Sequence, residues 1–361
     1  MTTIYNFNAG PAIMPAAVLQ QIRHELLDYN GIGMSILEIS HRSQEFETIN
    51  RAAEARLLRL LGLEGDYQVL FLQGGASMQF AMLPLNFLFP DSCADYILTG
   101  VWAEKAYEEA ARIGTANIAA STRDEQYRRI PTAAEIKLSD TAAYVHLTTN
   151  NTIYGTQWHT LPDVGKRPLV ADMSSDILSR PIDARRFAMI YAGAQKNMGP
   201  SGVTVVIIRR DWLAQAGDSA PTMLRYSTHA KNNSLYNTPP VFGVYALNLV
   251  LQWIEDQGGL PAMQQHNEQK AALIYQAIDA GGGFYRGHAA SGSRSLMNIT
   301  FRLPDETLEH EFVRLSAANG FVGLAGHRSI GGIRASTYNA MTYEGCAALA
   351  DFMQEFLRTH G

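Results

Sequence analysis

Lys196 lies in Tyr191-Ala-Gly-Ala-Gln-Lys-Asn-Met-Gly-Pro200, a polar loop between two strongly apolar runs, which is a setting for a buried and reactive amine. Phe187 to Tyr191 reads as a strand entering the loop and Val203 to Ile208 as one leaving it, so a core anchors both ends. Desolvation there disfavours ammonium, and a neutral amine is the nucleophile that attacks an aldehyde. A surface lysine in a hairpin loop would have the same local sequence, so its context has to decide. Upstream, Arg167-Pro-Leu-Val-Ala-Asp-Met-Ser-Ser175 reads as a short apolar strand tipped by Asp172. Ligands of open α/β sheets bind beyond the carboxyl ends of the strands, so Asp172 and Lys196 can face one crevice. Asp172 could also serve as a helix N-cap.

An acid and an amine placed in this way are what pyridoxal phosphate (PLP) asks of a protein. The carboxylate keeps the pyridine nitrogen protonated, and the lysine holds the aldehyde and moves protons. A phosphate site should then exist, and Tyr67-Gln-Val-Leu-Phe-Leu-Gln-Gly-Gly-Ala-Ser-Met-Gln-Phe80 offers strand, glycine turn and helix in that order. The free N–H groups and dipole of such a helix start attract an anion, and Ser77 adds a hydroxyl. Neither a P-loop nor a dinucleotide fingerprint is present, and a plain strand-to-helix turn capped by Ser77 is the alternative.

With these residues in place, the chain resembles the phosphoserine aminotransferase family, class V aminotransferases of PLP fold-type I, from end to end. The resemblance is carried by Asn6-Phe-Asn-Ala-Gly-Pro-Ala12, Glu38-Ile-Ser-His-Arg42, Gly74-Gly75, Gly100-Val-Trp102 and Asn150-Asn-Thr-Ile-Tyr-Gly155. Further along it is carried by Ala171-Asp172, Ser179-Arg-Pro-Ile-Asp183, Ala192-Gly-Ala-Gln-Lys196, Tyr236-Asn-Thr-Pro-Pro240, Gly326-His-Arg328 and Arg334-Ala-Ser. The resemblance implies a Schiff base between PLP and Lys196, one per subunit, with Asp172 on the pyridine nitrogen, Thr152 near the ring hydroxyl and Trp102 stacked on the ring. It also implies that Ala76, Ser77 and Gln195 hold the cofactor phosphate, joined by Asn237 and Thr238 of a partner subunit, which makes the homodimer part of the site. On residue types alone, Trp102 could be a core aromatic, Thr152 a turn former, and Asn237-Thr238 an extended segment before two prolines.

The family's substrates are glutamate, 2-oxoglutarate, phosphoserine and 3-phosphohydroxypyruvate, and each has an α-carboxylate and a second anionic group. Arg334 is the expected carboxylate clamp, since a planar guanidinium binds carboxylate in bidentate fashion. His41, Arg42, His327 and Arg328 are the candidates for the distal anion, the first two from across the dimer, although Arg42 could be a surface cation. Some family members have Arg where this chain has Ser77, and Ser where it has Ala9, so a fixed cation near the phosphates is missing here. The family is also associated with the phosphohydroxythreonine transamination of pyridoxine biosynthesis, which the same cations would serve.

The elements that must position these residues alternate between strand-like and helix-like segments, which argues for an α/β fold. Strands are predicted at 67–72, 94–99, 142–148, 168–172, 188–192 and 203–208. Helices are predicted at 16–29, 45–61, 77–88, 103–113 and 242–257. After Gly258-Gly259 the pattern becomes helix 263–280, strand 295–302, helix 307–319, strand 333–336 and a closing helix from Tyr343. The expectation is a large PLP-binding domain over 16–262 with a mainly parallel seven-stranded sheet, and a smaller α+β domain from 263–361 joined by the arm 1–15. At 361 residues and 47% apolar, the chain can bury a substantial core. A net charge of -5 argues against a nucleic-acid surface, and no apolar window is long enough to span a membrane. Cys93 and Cys346 are too few for a disulfide framework, and there is no metal-binding histidine motif, so a cytoplasmic, metal-free enzyme is expected. A cysteine desulfurase or an alanine:glyoxylate type transaminase is the alternative within the fold, but neither cysteine lies in a convincing catalytic loop. A non-catalytic α/β scaffold is the alternative outside it.

Overall fold

The computed structural model describes residues 3–361. Seven segments form one sheet: β1 (Tyr67–Leu72), β2 (Cys93–Leu98), β3 (Thr115–Ser121), β4 (Ala142–Thr148), β5 (Leu169–Asp172), β6 (Phe187–Gly193) and β7 (Thr204–Arg209). Their spatial order is β1-β7-β6-β5-β4-β2-β3. β7 runs antiparallel to both neighbours, while every other pairing is parallel. Central strands buried on both faces read as unbroken apolar runs, which is why the sequence displays them. β3 was not predicted. It is an edge strand of small and polar residues, Thr-Ala-Asn-Ile-Ala-Ala-Ser, and much of it is exposed.

Side chains of one strand alternate between two cores, as the pleat requires. Val69 and Phe71 of β1 face a core built with helices α2 (Gln44–Leu61) and α5 (Val241–Asp256). Leu70 and Leu72 face the other core, under α3 (Gly75–Phe87) and α4 (Val101–Ile113). The start of α2 is fixed by Ser43, whose Oγ accepts from the Phe46 N–H at 3.3 Å, and its end by Gly62 in a left-handed conformation. Helix α1 (Ala16–Glu25) stops four residues short of the predicted 16–29.

A third core includes Phe7, Phe301, Phe312, Ala335 and Phe356. It packs between an antiparallel sheet, β8 (Arg286–Gly287), β9 (Asn298–Arg302) and β10 (Ile333–Ser336), and helices α6 (Gly259–Ala280), α7 (Glu306–Ala318) and α8 (Tyr343–His360). Tyr5–Asn6 pairs in parallel with Phe321–Val322, which ties the N-terminal arm to this unit. Helix α6 bridges the cores: Leu260 and Met263 belong to the first, Ala271 and Ile274 to the third. No described helix is long and apolar enough to cross a membrane.

Candidate active site

Five connections leave the carboxyl ends of parallel strands on the same side of the large sheet, and each delivers a singled-out residue to one cavity of about 350 Å³. Ala76 and Ser77 follow β1, and Trp102 follows β2. Thr152 follows β4, Asp172 ends β5, and Gln195 and Lys196 follow β6. His327 and Arg334 enter from the smaller unit. The turn before α3 depends on Gly74, whose φ of +87° disfavours any side chain and whose added Cβ would lie 2.6 Å from Met78 Cβ.

Lys196 Nζ donates to Thr152 Oγ1 at 2.8 Å. Burial pulls this amine down to about 8; Asp172 opposes the shift and Arg334 adds to it. A substantial fraction is therefore neutral near physiological pH, as a nucleophilic lysine requires. Burial raises Asp172 above the usual carboxylate range, and the hydrogen bond from Ser174 and the charge of Lys196 pull the other way. Its Oδ1 accepts from the Ser174 N–H at 2.9 Å, whereas Oδ2 accepts from no donor among the described residues. A buried carboxylate with a free oxygen at a cavity wall suits a bound N–H cation, because a paired charge offsets the desolvation that raises it.

The donor set therefore fits PLP. It comprises a lysine of lowered basicity, a buried carboxylate with one free oxygen, an aromatic wall at Trp102, and the N-terminus of α3 with the Ser77 hydroxyl for an anion. Burial lowers Arg334, whose Nη1 donates to the Thr152 carbonyl at 3.3 Å, so the guanidinium is held against the large unit within reach of Lys196's neighbour.

A larger cleft of about 990 Å³ adjoins the cavity and shares Ile153, His327 and Arg334 with it. The other expected residues lie elsewhere in this chain. His41 and Thr238 line a separate groove with Leu37, Pro239 and Pro240. Asn237 donates to the Thr238 carbonyl at 3.3 Å, Arg42 is exposed, and Arg328 is exposed next to His327.

The sequence reading missed several wall residues. Thr148 ends β4 opposite Asp172, and its buried hydroxyl has no partner among the described residues. Ser174 Oγ accepts from the Gly193 N–H at 3.1 Å, bracing Asp172's turn against β6. Ala9 and Gly10 of the arm line the cavity, the Ala12 N–H donates to the Gln195 carbonyl at 2.9 Å, and Tyr338 donates to the Ala9 carbonyl at 2.9 Å. Position at a strand's carboxyl end was the available signal for Thr148 and Ser174. The arm acts through its backbone, which residue types do not reveal.

The sequence pattern of the Aminotransferase class-V family matches residues 4–349. The phosphoserine aminotransferase of Herpetosiphon aurantiacus is 61% identical over 359 residues, 99% of this chain and 100% of that protein. The solved phosphoserine aminotransferase from Bacillus circulans subsp. alkalophilus superposes with a TM-score of 0.98 at 57% identity, covering 99% of both chains. The PLP-bound phosphoserine aminotransferase from Trichomonas vaginalis gives a TM-score of 0.93 at 38% identity, over 97% of this chain and 99% of that one.

Proposed function

We propose that this chain, which belongs to the class-V aminotransferase family, transfers an amino group reversibly between L-glutamate and 3-phosphohydroxypyruvate, giving 2-oxoglutarate and O-phospho-L-serine. The observation that carries the reading is the convergence of Lys196, Asp172 and Arg334 on one cavity in a chain so close to phosphoserine aminotransferases over its whole length.

When bound, PLP supplies an electrophilic aldehyde carbon and a ring that takes up the electron pair of the breaking Cα–H bond. Lys196 Nζ would hold that carbon and, as a free amine, would be the base that takes up and hands on the substrate Cα proton. Asp172 would hold a proton on the pyridine nitrogen, and the Thr152 hydroxyl would donate to the ring oxygen. Trp102 would cover the ring and exclude water from it, while Ser77, Gln195 and the free N–H groups of α3 would hold the phosphate. Arg334 clamps the α-carboxylate of either substrate. Amino donor and acceptor occupy the same cavity in turn, so the kinetics are ping-pong.

In this reading the functional unit is a homodimer in which Asn237 and Thr238 reach the partner's cofactor phosphate, and His41 and Arg42 the partner's distal substrate anion. Support comes from the exposed apolar side chains on the same segments, among them Leu37 and Tyr236. The proposed division is a large unit, 16–262, and a small one of 1–15 with 263–361; Phe7 and the residues from Ala271 onward in the third core support it, while Met263 packs in the first core.

The test is the visible spectrum of the purified protein. Glutamate should bleach the band of the bound cofactor, and 3-phosphohydroxypyruvate should restore it. Bleaching without restoration would refute the substrate, and no band after incubation with PLP would refute the enzyme.

A further inference from the structure

We infer that Lys105 is a further anion-binding residue of this site, holding the phosphate end of the substrate together with His327. The inference rests on the reading above, in which each substrate is anionic at both ends. Within one subunit the cavity offers few cations for the second end. Lys196 is committed to the cofactor, and Arg334 to the α-carboxylate. His327 lines the cavity but is held below its ordinary value by burial first, then by Arg334, Arg328 and Lys105, so it is neutral at physiological pH. Ser77 contributes a hydroxyl and no charge.

Lys105 follows Trp102 by three residues on α4 and therefore shares its helix face. Its ammonium lies 4.8 Å from the centroid of the Trp102 ring. The charge thus sits against one wall residue of the cavity and acts on another, His327. Lys105 is exposed and pairs with no carboxylate among the described residues. Of the carboxylates on its helix, Glu104 is engaged with the Tyr127 hydroxyl and with Arg123 at 3.3 Å, and Glu109 with Arg112, while Glu108, one turn on, is exposed and forms no ion pair with Lys105. The indole face holds the ammonium in place while its charge stays available, because a cation–π contact at an exposed site is weak beside a phosphate. A phosphate dianion between Lys105 and His327 would offset the repulsion from the nearby cations and oppose the effect of burial, the larger cause of His327's low value. The imidazole would then take up a proton and become a second charged donor, so phosphate binding is coupled to proton uptake at His327. A carboxylate, with one charge, gains less from the same pair.

The test compares Lys105→Met, which keeps the length of the stem, with Lys105→Arg. The two half-reactions of the PLP-loaded enzyme are followed separately through its visible band. Lys105→Met should weaken apparent binding of 3-phosphohydroxypyruvate by about ten- to a hundredfold and that of glutamate by less, within about threefold, with Lys105→Arg recovering most of the loss. A second readout is the titration of the His327 ring by NMR, its signal assigned through its loss in His327→Asn. The His327 value should rise in Lys105→Met without phosphate, and inorganic phosphate should raise it more in the wild type than in Lys105→Met. Equal effects on both substrates, or an unchanged response of His327 to phosphate, would overturn the inference and leave Lys105 as a support for Trp102. A wild-type enzyme that bleaches with glutamate but ignores the phosphorylated acid would instead overturn the substrate assignment, and the inference with it.

Discussion

Lys196 combines two properties that pull against each other: it must be buried enough to lose its proton and close enough to Asp172 to be held in place. Burial wins, leaving the amine of the cofactor-free protein at about 8. Its neutral fraction falls about tenfold per pH unit below that value and levels off above it. The rate at which cofactor-free protein captures PLP should follow the same curve, rising with pH to a plateau past about pH 8. Stopped-flow absorbance checks this, and a flat profile between about pH 6 and pH 9 would show that the amine is not the attacking group. Asp172→Asn keeps the size of the side chain but removes the charge that, in the proposed site, would hold a ring proton. It should weaken PLP binding by about ten- to a hundredfold, the worth of a hydrogen bond to a charged group, and slow Cα proton transfer further. Equilibrium titration with PLP and a substrate isotope effect separate the two losses. Both residues were legible in the sequence because apolar strands bracket them. Thr148 and Ser174 were not, since a threonine or serine at a strand end looks like any turn residue until β4 sets Thr148 opposite Asp172 and Ser174 Oγ accepts from the Gly193 N–H of β6.

At the scale of elements, the turn from β1 into α3 is the proposed anion site, and Gly74 is what makes the turn possible. Gly74→Ala places a side chain at a φ of +87° and against Met78 Cβ, so the helix start must shift. The expected cost is more than about 1 kcal/mol of stability, with weaker PLP retention because the N–H groups of α3 lose their aim. Thermal unfolding with and without PLP would show both, and a loss of stability with unchanged PLP affinity would place the phosphate elsewhere. Helix α6 holds a feature the sequence concealed. Lys270 sits in a polar stretch, Gln-Gln-His-Asn-Glu-Gln-Lys, that reads as a solvated face, yet it is fully buried. Its Nζ donates to the carbonyls of Thr337 at 3.1 Å, Tyr338 at 2.8 Å and Asn339 at 3.5 Å, just beyond the strand that carries Arg334. Burial lowers it to about 7, with Cys346 opposing. Between that value and the ordinary lysine value near ~10.4, the unfolded chain binds more protons than the folded one, so Lys270 makes stability rise with pH across that window. Below it both states are protonated and the penalty is constant. Lys270→Met should flatten this rise relative to wild type in urea midpoints taken from about pH 6 to pH 10, whatever its effect on the absolute value. Parallel curves for the two proteins would mean that Lys270 keeps its ordinary basicity.

For the whole molecule, there is a mismatch between the residues expected at the site and the cavity that one chain builds. His41, Arg42, Asn237 and Thr238 lie away from Lys196, on segments that also expose Leu27 at 84% and Leu37 at 61% of their surface. Apolar side chains left in water next to unused cations and amides are what a shared interface looks like in an isolated subunit. Periodicity displayed six of the seven sheet strands and the helices that pack on them, but it cannot report which surface meets a second chain. A mixing experiment can. On the proposed dimer, Arg42→Ala removes the cation that a subunit would lend to its partner, while Lys196→Ala disables a subunit's own cavity, so each homodimer should lose most of its activity. In a hybrid, one cavity has both defects, whereas the other has an intact Lys196 and receives an intact Arg42. Random exchange makes half the dimers hybrids with one working site in two, so activity should recover to about a quarter of wild type after joint refolding. Recovery should grow with the time allowed for subunit exchange and fail when the two variants are mixed without it. If Arg42 instead serves its own subunit, every hybrid site carries a defect and no mixture exceeds its parents.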